Sequence, residues 1–177
     1  IDSLNTLDSN IPILSEESLV DWHTRKNWKK YWLVDPLDGT KEFIKKNGEF
    51  TVNIALIENN SPILGVIFAP AKSALYFAQK EYGSFSLETN LELNSFDKVK
   101  KIAVSKISNV VRVIGSRSHS NNTFTNWVNE NFPDSQIVQA GSSLKFCLIA
   151  KGEADIYPRF GPTSEWDIAA GHIILNE

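Results

Sequence analysis

The sequence predicts a mixed α/β protein, an α+β arrangement in which layers of sheet and helix are stacked. In the first half of the chain, segments with strand character follow one another closely, as in an antiparallel sheet: FTVNIALI (50–57), ILGVIFAP (63–70), ALYFAQ and GSFSLE. In the second half, strand and helix patterns alternate, which is typical of layered folds.

Local patterns predict each element in turn. FTVNIALI alternates in the manner of a half-buried strand, and ENNSP after it supplies a hairpin turn. KYWLVD predicts a strand that ends at Asp35. Further strands are predicted from IPIL (11–14), KIAVS, VVRVIGS, SQIVQA and ADIYPRF. Helical spacing or helix-capping residues predict helices over residues 18–28, 120–132, 142–152 and 164–175, a shorter one over 39–45, and one near the start through Ile1, Leu4 and Leu7.

Composition and charge exclude several classes of function. With 42% hydrophobic residues, 22% charged residues and a net charge of −3, neither nucleic acid nor an anionic membrane is the expected partner. The longest apolar run, ILGVIFAPA, is much shorter than a membrane-spanning helix. Cys147 is the only cysteine, so no disulfide forms within the chain. A cytoplasmic location is expected, with the inner face of the membrane as an alternative in bacteria.

The ends of the sequence predict a chain truncated on both sides. It contains no methionine, and it opens with IDSLNTL and stops within AAGHIILNE, both of which have helical patterns. Two lobes are expected, a metal-binding α+β lobe over residues 1–97 and an α/β lobe over residues 98–177. The boundary is placed in the most polar connector, NSFDKVKK (94–101).

Carboxylates occur at two predicted strand ends and at the start of the last predicted helix. Glu16 and Glu17 follow IPIL, Asp35 and Asp38 flank Pro-Leu, and Asp167 lies in SEWD. Each position has an ordinary alternative: a solvated glutamate pair, a turn rich in Asp, Pro and Gly, or a helix cap.

Taken together, the strand-end carboxylates and the Gly-Thr pair after them match what a cation and a phosphate require. Mg²⁺ prefers oxygen ligands, and Pro36 would turn the Leu37 carbonyl toward the same centre as the aspartates. The amides of Gly39 and Thr40, where a short helix begins, would face a phosphate. Cations would also remove the repulsion between the carboxylates.

Three segments, SEES, WLVDPLDGTKEF and EWDIAAGHIIL, resemble in order the acidic motifs of the inositol monophosphatase-like metal phosphatases. DPLDGTKEFIKKNGEFTVNIALI, SRSH, GSSLKFCLIA and YPRFGPT are most similar to bacterial 3′(2′),5′-bisphosphate nucleotidases of the CysQ type. The resemblance covers nearly the whole chain. It implies the fold of this superfamily, with alternating α/β/α/β/α layers.

The resemblance also implies a centre with two Mg²⁺ ions. Glu16, Asp35 and the Leu37 carbonyl would hold one ion, and Asp35 would bridge to the other. The ligands of the second ion would be Asp35, Asp38 and Asp167.

Catalytic roles are implied for Glu16, Asp35 and Thr40, of which Thr40 would help to orient the water that attacks phosphorus in line. Glu17 would support the site or hold a weaker third ion. Family members carry a further acidic loop, upstream of the segment that matches residues 1–14, which assists water activation. They also have strands after the last helix, and no residues of this chain match either part.

Basic and hydroxyl side chains predict the substrate side. Lys and Arg suit a second phosphate on the substrate, although an exposed histidine, helix-capping serines and a surface arginine are the ordinary alternatives. The residues that the resemblance implies in substrate contact are Glu16, Leu37, Asp38, Gly39, Thr40, His119, Ser142, Lys145, Arg159 and Asp167.

The sequence therefore predicts a Mg²⁺-dependent phosphatase that converts adenosine 3′,5′-bisphosphate to AMP and phosphate, in sulfur assimilation. One alternative is an inositol or sugar monophosphatase with the same metal site. Others are a nucleotide-binding fragment without catalysis and a domain whose acidic turns only cap helices. The expected partner is a small nucleotide bisphosphate, and no oligomeric state is predicted.

Overall fold

The computed structural model describes residues 2–88, 98–106, 109–118 and 122–177. Seven strands form one mixed sheet in chain order, and only the first pair, β1 and β2, is parallel. These strands are β1 (Ile13–Ser15), β2 (Lys30–Asp38), β3 (Thr51–Glu58), β4 (Ser61–Ala69), β5 (Ala74–Gln79), β6 (Gly83–Glu88) and β7 (Lys100–Ile102).

A smaller sheet and six helices complete the described structure. Strands β8 (Arg112–Ser116) and β9 (Gln136–Ala140) pair in parallel. The helices are α1 (Asp2–Leu7), α2 (Trp22–Arg25), α3 (Thr40–Ile44), α4 (Asn122–Asn131), α5 (Leu144–Ala150) and α6 (Glu165–Asn176), with a 3₁₀ turn over Pro70–Lys72.

Helix α6 lies against one face of the large sheet and closes the main core. At Gly65 on β4 the helix approaches so closely that a Cβ atom would lie 2.7 Å from the carbonyl oxygen of Ala170. Ile67 of the sheet, Ile173 of α6 and Cys147 of α5 are buried in this core. The same packing brings the first turn of α6 to the ends of β1 and β2, where the predicted site lies.

The predicted layering is confirmed, including the run of antiparallel strands from β2 to β6. The predicted helix over 18–28 is wrong, because only Trp22–Arg25 is helical and Asp21 caps it. Leu19 and Trp22 are 71% and 64% exposed, so the apolar positions of this segment form no buried face.

Two predicted strand limits also differ from the structure. The strand predicted to end at Asp35 continues to Asp38 through an irregularity at Pro36. ADIYPRF forms no strand; Ile156 makes an isolated bridge to Val113 instead.

The predicted lobe boundary at residue 97 lies outside the described residues, so the division into two lobes stays a prediction. No helix in the described part of the chain has the length and apolar character needed to cross a bilayer.

Candidate active site

Asp35 and Asp38 project from the same face of β2 because the strand contains a bulge between them. Asp35 pairs with Asn53 of β3 and Asp38 pairs with Thr51, so β2 has one residue more than β3 in this interval. In a regular strand, residues three apart point to opposite faces, and an inserted residue reverses that relation. Pro36 suits the bulge because it has no N–H to donate to the sheet.

Asp167 joins these two aspartates from the first turn of α6. One carboxylate oxygen from each of Asp35, Asp38 and Asp167 lies within 4.8 Å of the other two. Asp167 Oδ2 also accepts hydrogen bonds from Ser164 N at 2.8 Å and Thr163 Oγ1 at 2.9 Å, within a capping box. The helix-cap alternative and the metal-ligand prediction therefore concern the same side chain, which can serve both roles.

Asp35 is the most buried carboxylate of the group, with 1% of its surface exposed. Burial, and then the charge of Asp38 with smaller effects of Glu16 and Asp167, raises the pKa of Asp35 to about 8, against a hydrogen bond from Leu37 N. Within the described ranges, no lysine or arginine forms an ion pair with the three clustered aspartates. Three oxygen donors without a paired cation fit a hard metal ion.

Glu16 lies beside this group but outside the set of three. It follows β1, and its backbone N–H donates to the Val34 carbonyl at 3.2 Å, which places it next to the end of β2. Its charge acts on Asp35, whereas its own ligand role and that of the Leu37 carbonyl stay predictions. Glu17 N donates to Ser15 Oγ at 3.4 Å, and a third ion there is untested.

Gly39 connects β2 to α3 in a conformation that favours glycine. Its φ is 88°, and a Cβ atom on it would lie 3.1 Å from Ser142 Cβ. The turn at Gly39, which leads into α3, therefore lies close against the loop before α5. This contact brings the Gly39–Thr40 pair and Ser142 together, as the substrate prediction requires.

A cavity of about 410 Å³ opens beside the carboxylates. It is lined from both halves of the chain by most of the residues predicted to contact the substrate. These are Asp38, Gly39, Thr40, Ser142, Lys145, Arg159 and Asp167. Glu16 and Leu37 are not among its lining residues, and His119 lies outside the described residues.

Lys145 and Arg159, the two basic side chains predicted to contact the substrate, have different surroundings. Lys145 is only 6% exposed, and its Nζ donates to the Ser142 carbonyl at 2.5 Å and lies 5.4 Å from the centre of the Tyr157 ring. Burial lowers the pKa of Lys145, although Asp38 opposes that change. Arg159 is exposed, and its Nη2 donates to the Pro162 carbonyl at 2.7 Å.

Three buried polar residues that were not predicted from the sequence hold Asp38. Thr51 Oγ1, Asn53 Nδ2 and Ser143 Oγ contact Asp38 Oδ2 at 3.4, 3.3 and 2.5 Å. A signal for the first two existed, since Thr51 and Asn53 occupy the inward positions of a strand that buries alternate residues. Ser143 gave no such signal, because a serine before a helix is usually a cap.

A model of the inositol monophosphatase family matches residues 1–177. The chain belongs to the inositol monophosphatase family. Among curated members, the 3′(2′),5′-bisphosphate nucleotidase CysQ of Salmonella typhimurium is 49% identical over 174 residues, 98% of this chain and 67% of that protein. The protein of the same name from Buchnera aphidicola is 51% identical over 172 residues, 97% of this chain and 62% of its own length. The chain spans about two thirds of the length of these curated relatives.

A solved structure of the inositol monophosphatase family has the same architecture. CysQ from Bacteroides thetaiotaomicron superposes with a TM-score of 0.86 at 42% identity, covering 96% of this chain and 66% of that one. The predicted family and the predicted layered fold are therefore confirmed. Enzymes of this family depend on metal ions, and the aspartate group of this chain is placed to bind one.

Proposed function

We propose that this chain carries the active site of a 3′(2′),5′-bisphosphate nucleotidase, a phosphoric monoester hydrolase. It removes the 3′-phosphate of adenosine 3′,5′-bisphosphate and leaves AMP. One observation carries the proposal: a single cavity is lined by aspartates of the carboxylate group and by cations that include Lys145 and Arg159. The identity of about half with nucleotidases of this name supports the same substrate class.

The donor set of the site fits Mg²⁺. Asp35, Asp38 and Asp167 would hold one ion, and Asp35 with Glu16 and the Leu37 carbonyl would hold a second. Bound Mg²⁺ would supply two things: neutralisation of charge on the phosphate and activation of water. A third ion beside Glu17 remains an alternative. The close approach of three oxygens around a buried Asp35 supports at least one ion.

The residues of the chain then divide the work. The amides of Gly39 and Thr40 bind the 3′-phosphate that is hydrolysed, and the Thr40 hydroxyl orients the attacking water. Glu16 and Asp35 would hold Mg²⁺ at the ends of β1 and β2, where that water must approach. The substrate reaches both parts from the cavity that Gly39 and Thr40 line.

The second phosphate of the substrate is assigned to Lys145 and Arg159. Arg117, which follows β8, is already paired: its Nε and Nη2 lie 2.7 and 3.0 Å from the carboxylate of Glu49. Lys145 and Arg159 line the cavity, and they are the cations assigned to a second anionic group. A monophosphate would leave this charge without an anion.

A test compares phosphate release from adenosine 3′,5′-bisphosphate and from inositol monophosphate, both with Mg²⁺. The proposal predicts faster turnover of the bisphosphate. Faster turnover of inositol monophosphate would favour the sugar phosphatase alternative and overturn the assignment of Lys145 and Arg159. Calorimetric binding of the bisphosphate without turnover would instead favour the non-catalytic alternative.

The cellular setting forms part of the proposal. Removal of this bisphosphate belongs to sulfur assimilation, and the proposed location is the cytoplasm. Cys147, buried and outside any disulfide, is compatible with a reducing compartment. The proposed partner is a small nucleotide bisphosphate.

A further inference from the structure

Ser143 stands at the N-cap of α5, yet its side chain does not cap the helix. N-cap serines usually accept a hydrogen bond from a backbone N–H of the first turn. The Ser143 hydroxyl instead lies 2.5 Å from Asp38 Oδ2. The Ser143 side chain does not bond to a backbone N–H of the first turn of α5. We therefore relate its role to Asp38 rather than to the helix.

The hydrogen of this hydroxyl can be placed by counting donors. Ser143 Oγ lies 2.5 Å from Asp38 Oδ2, 3.1 Å from the Asp167 carbonyl oxygen and 2.7 Å from Asn53 Nδ2. A hydroxyl has one hydrogen and can accept from the amide. The shorter distance and the negative charge of the carboxylate direct that hydrogen toward Asp38 Oδ2, so the Ser143 hydroxyl donates to Asp38.

Asn53 fixes the direction of this chain of hydrogen bonds. Its Nδ2 faces two oxygens, Ser143 Oγ and Asp38 Oδ2, at 2.7 and 3.3 Å. Its Oδ1 is buried and has no partner among the described residues. A flipped amide would turn an oxygen toward the acceptor-only carboxylate of Asp38, so the observed orientation is retained even though Oδ1 is unsatisfied.

We infer that Ser143, oriented by Asn53, is a positioning residue that fixes the Asp38 carboxylate and thereby sets the cation affinity of the aspartate group. With Thr51, three donors converge on Asp38 Oδ2, and the inference assigns Oδ1 to a cation. The Ser143 hydroxyl also lies beside the backbone of Asp167, so one atom touches the residues that carry two ligands. The inference rests on the proposed function in taking this group as a cation site.

The test measures Mg²⁺ affinity by calorimetry, and Mn²⁺ affinity from the spin-resonance signal of the free ion, for the unsubstituted protein and for Ser143→Ala. Loss of a side chain that orients a ligand typically weakens metal binding about 10- to 100-fold, and a loss in this range is expected. Ser143→Thr, which keeps the hydroxyl, should restore most of the affinity.

Ser84→Ala is the matched control. Ser84 is also a buried serine, 2% exposed, whose hydroxyl donates to the Ile174 carbonyl at 2.6 Å. It contacts the opposite end of α6, about 10 Å along the helix from Asp167. Ser84→Ala should lower the melting temperature of the metal-free protein and leave metal affinity unchanged.

Two outcomes separate this inference from the proposed function. Normal metal affinity in Ser143→Ala, equal to that of Ser84→Ala, would overturn the inference alone. Absence of Mg²⁺ and Mn²⁺ binding in the unsubstituted protein would overturn the cation site as well. If Ser143→Ala does not fold, Asn53→Ala is measured in its place, and unchanged affinity in that variant would overturn the inference.

Discussion

Asp35 and Asp38 face one another across a bulge in β2, and the extra residue between them puts both carboxylates on the same side of the sheet. Without the bulge, residues three apart in a strand would point their side chains to opposite faces of the sheet. The arrangement collects negative charge at a buried position, since Asp38 is the neighbour that raises the pKa of Asp35 most. We therefore expect metal binding, stability and catalysis to be linked through this pair.

Replacement of Asp38 by asparagine should abolish turnover, with a loss of about 100-fold or more, because a ligand to a metal matters at least as much as a residue that orients one. In the metal-free protein, the same change should lower the pKa of Asp35, since the largest neighbouring charge is gone. Phosphate release and a carbon-13 titration of the carboxyl groups measure the two effects. A near-normal rate would remove Asp38 from the ligands.

The metal-free protein should become less stable as the pH rises from about 4 to about 8. The pKa of Asp35 is about 8 in the folded protein and 3.8 as a model value, so the folded state holds its proton more tightly than the unfolded state. The contribution of the protonated Asp35 carboxyl to the free energy of unfolding is complete below pH 4 and is lost by about pH 8. Asp155, whose pKa beside Arg112 is about 2, titrates below this window.

Urea unfolding in a chelating buffer, at pH values from 5 to 8, measures this slope. Asp35→Asn should flatten it. Added Mg²⁺ should raise the free energy of unfolding most at the alkaline end, where the ligands are ionised. Stability that rises across the interval, with no effect of Asp35→Asn, would contradict the assignment.

Gly39→Ala should destabilise the protein by about 1–2 kcal/mol, the cost of a left-handed conformation for a residue with a Cβ atom. The added methyl group would also press on Ser142, 3.1 Å away, and should weaken phosphate binding. Gly161→Ala is the control, because its Cβ atom would meet only the Arg159 side chain at 3.9 Å. Equal melting temperatures for the two variants would show that the turn tolerates a side chain.

Arg159→Ala should raise KM for adenosine 3′,5′-bisphosphate about tenfold or more, because a hydrogen bond to a charged group typically contributes that much to binding. A monophosphate that lacks the 5′-phosphate should be affected much less, because Arg159 is assigned to that group. Arg159→Lys keeps the charge, so its KM for the bisphosphate should lie between those of the unsubstituted protein and Arg159→Ala. Equal losses on both substrates would contradict a role in second-phosphate binding.

Strands were predictable from the sequence where burial and alternation coincide. Thr51–Glu58 buries every second residue, so the pattern of side chains reports the structure directly. The segment over 18–28 has an equally regular pattern, but Leu19 and Trp22 have no buried partner. Tertiary packing decides whether an amphipathic segment becomes a helix, and local sequence carries no information about that packing.

The site shows the same division. Asp35, Asp38 and Asp167 were predictable because carboxylates at strand and helix ends are unusual in combination, and the structure brings them together. The bulge at Pro36 was predicted only as a strand end, since proline does not show whether a strand resumes beyond it. Ser143 was missed because its position before α5 resembles that of a cap, whereas its partner Asp38 is 105 residues away.

Under the proposed function, the aspartate group and the adjoining cavity bind metal ions and a nucleotide bisphosphate together. A crystal structure with Mn²⁺ and adenosine 3′,5′-bisphosphate tests it most directly, because manganese is located by its anomalous scattering. We expect manganese in contact with Asp35, Asp38 and Asp167, the 3′-phosphate beside Gly39 and Thr40, and the 5′-phosphate at Lys145 and Arg159. Manganese absent from the aspartates, or a nucleotide bound outside this cavity, would contradict it.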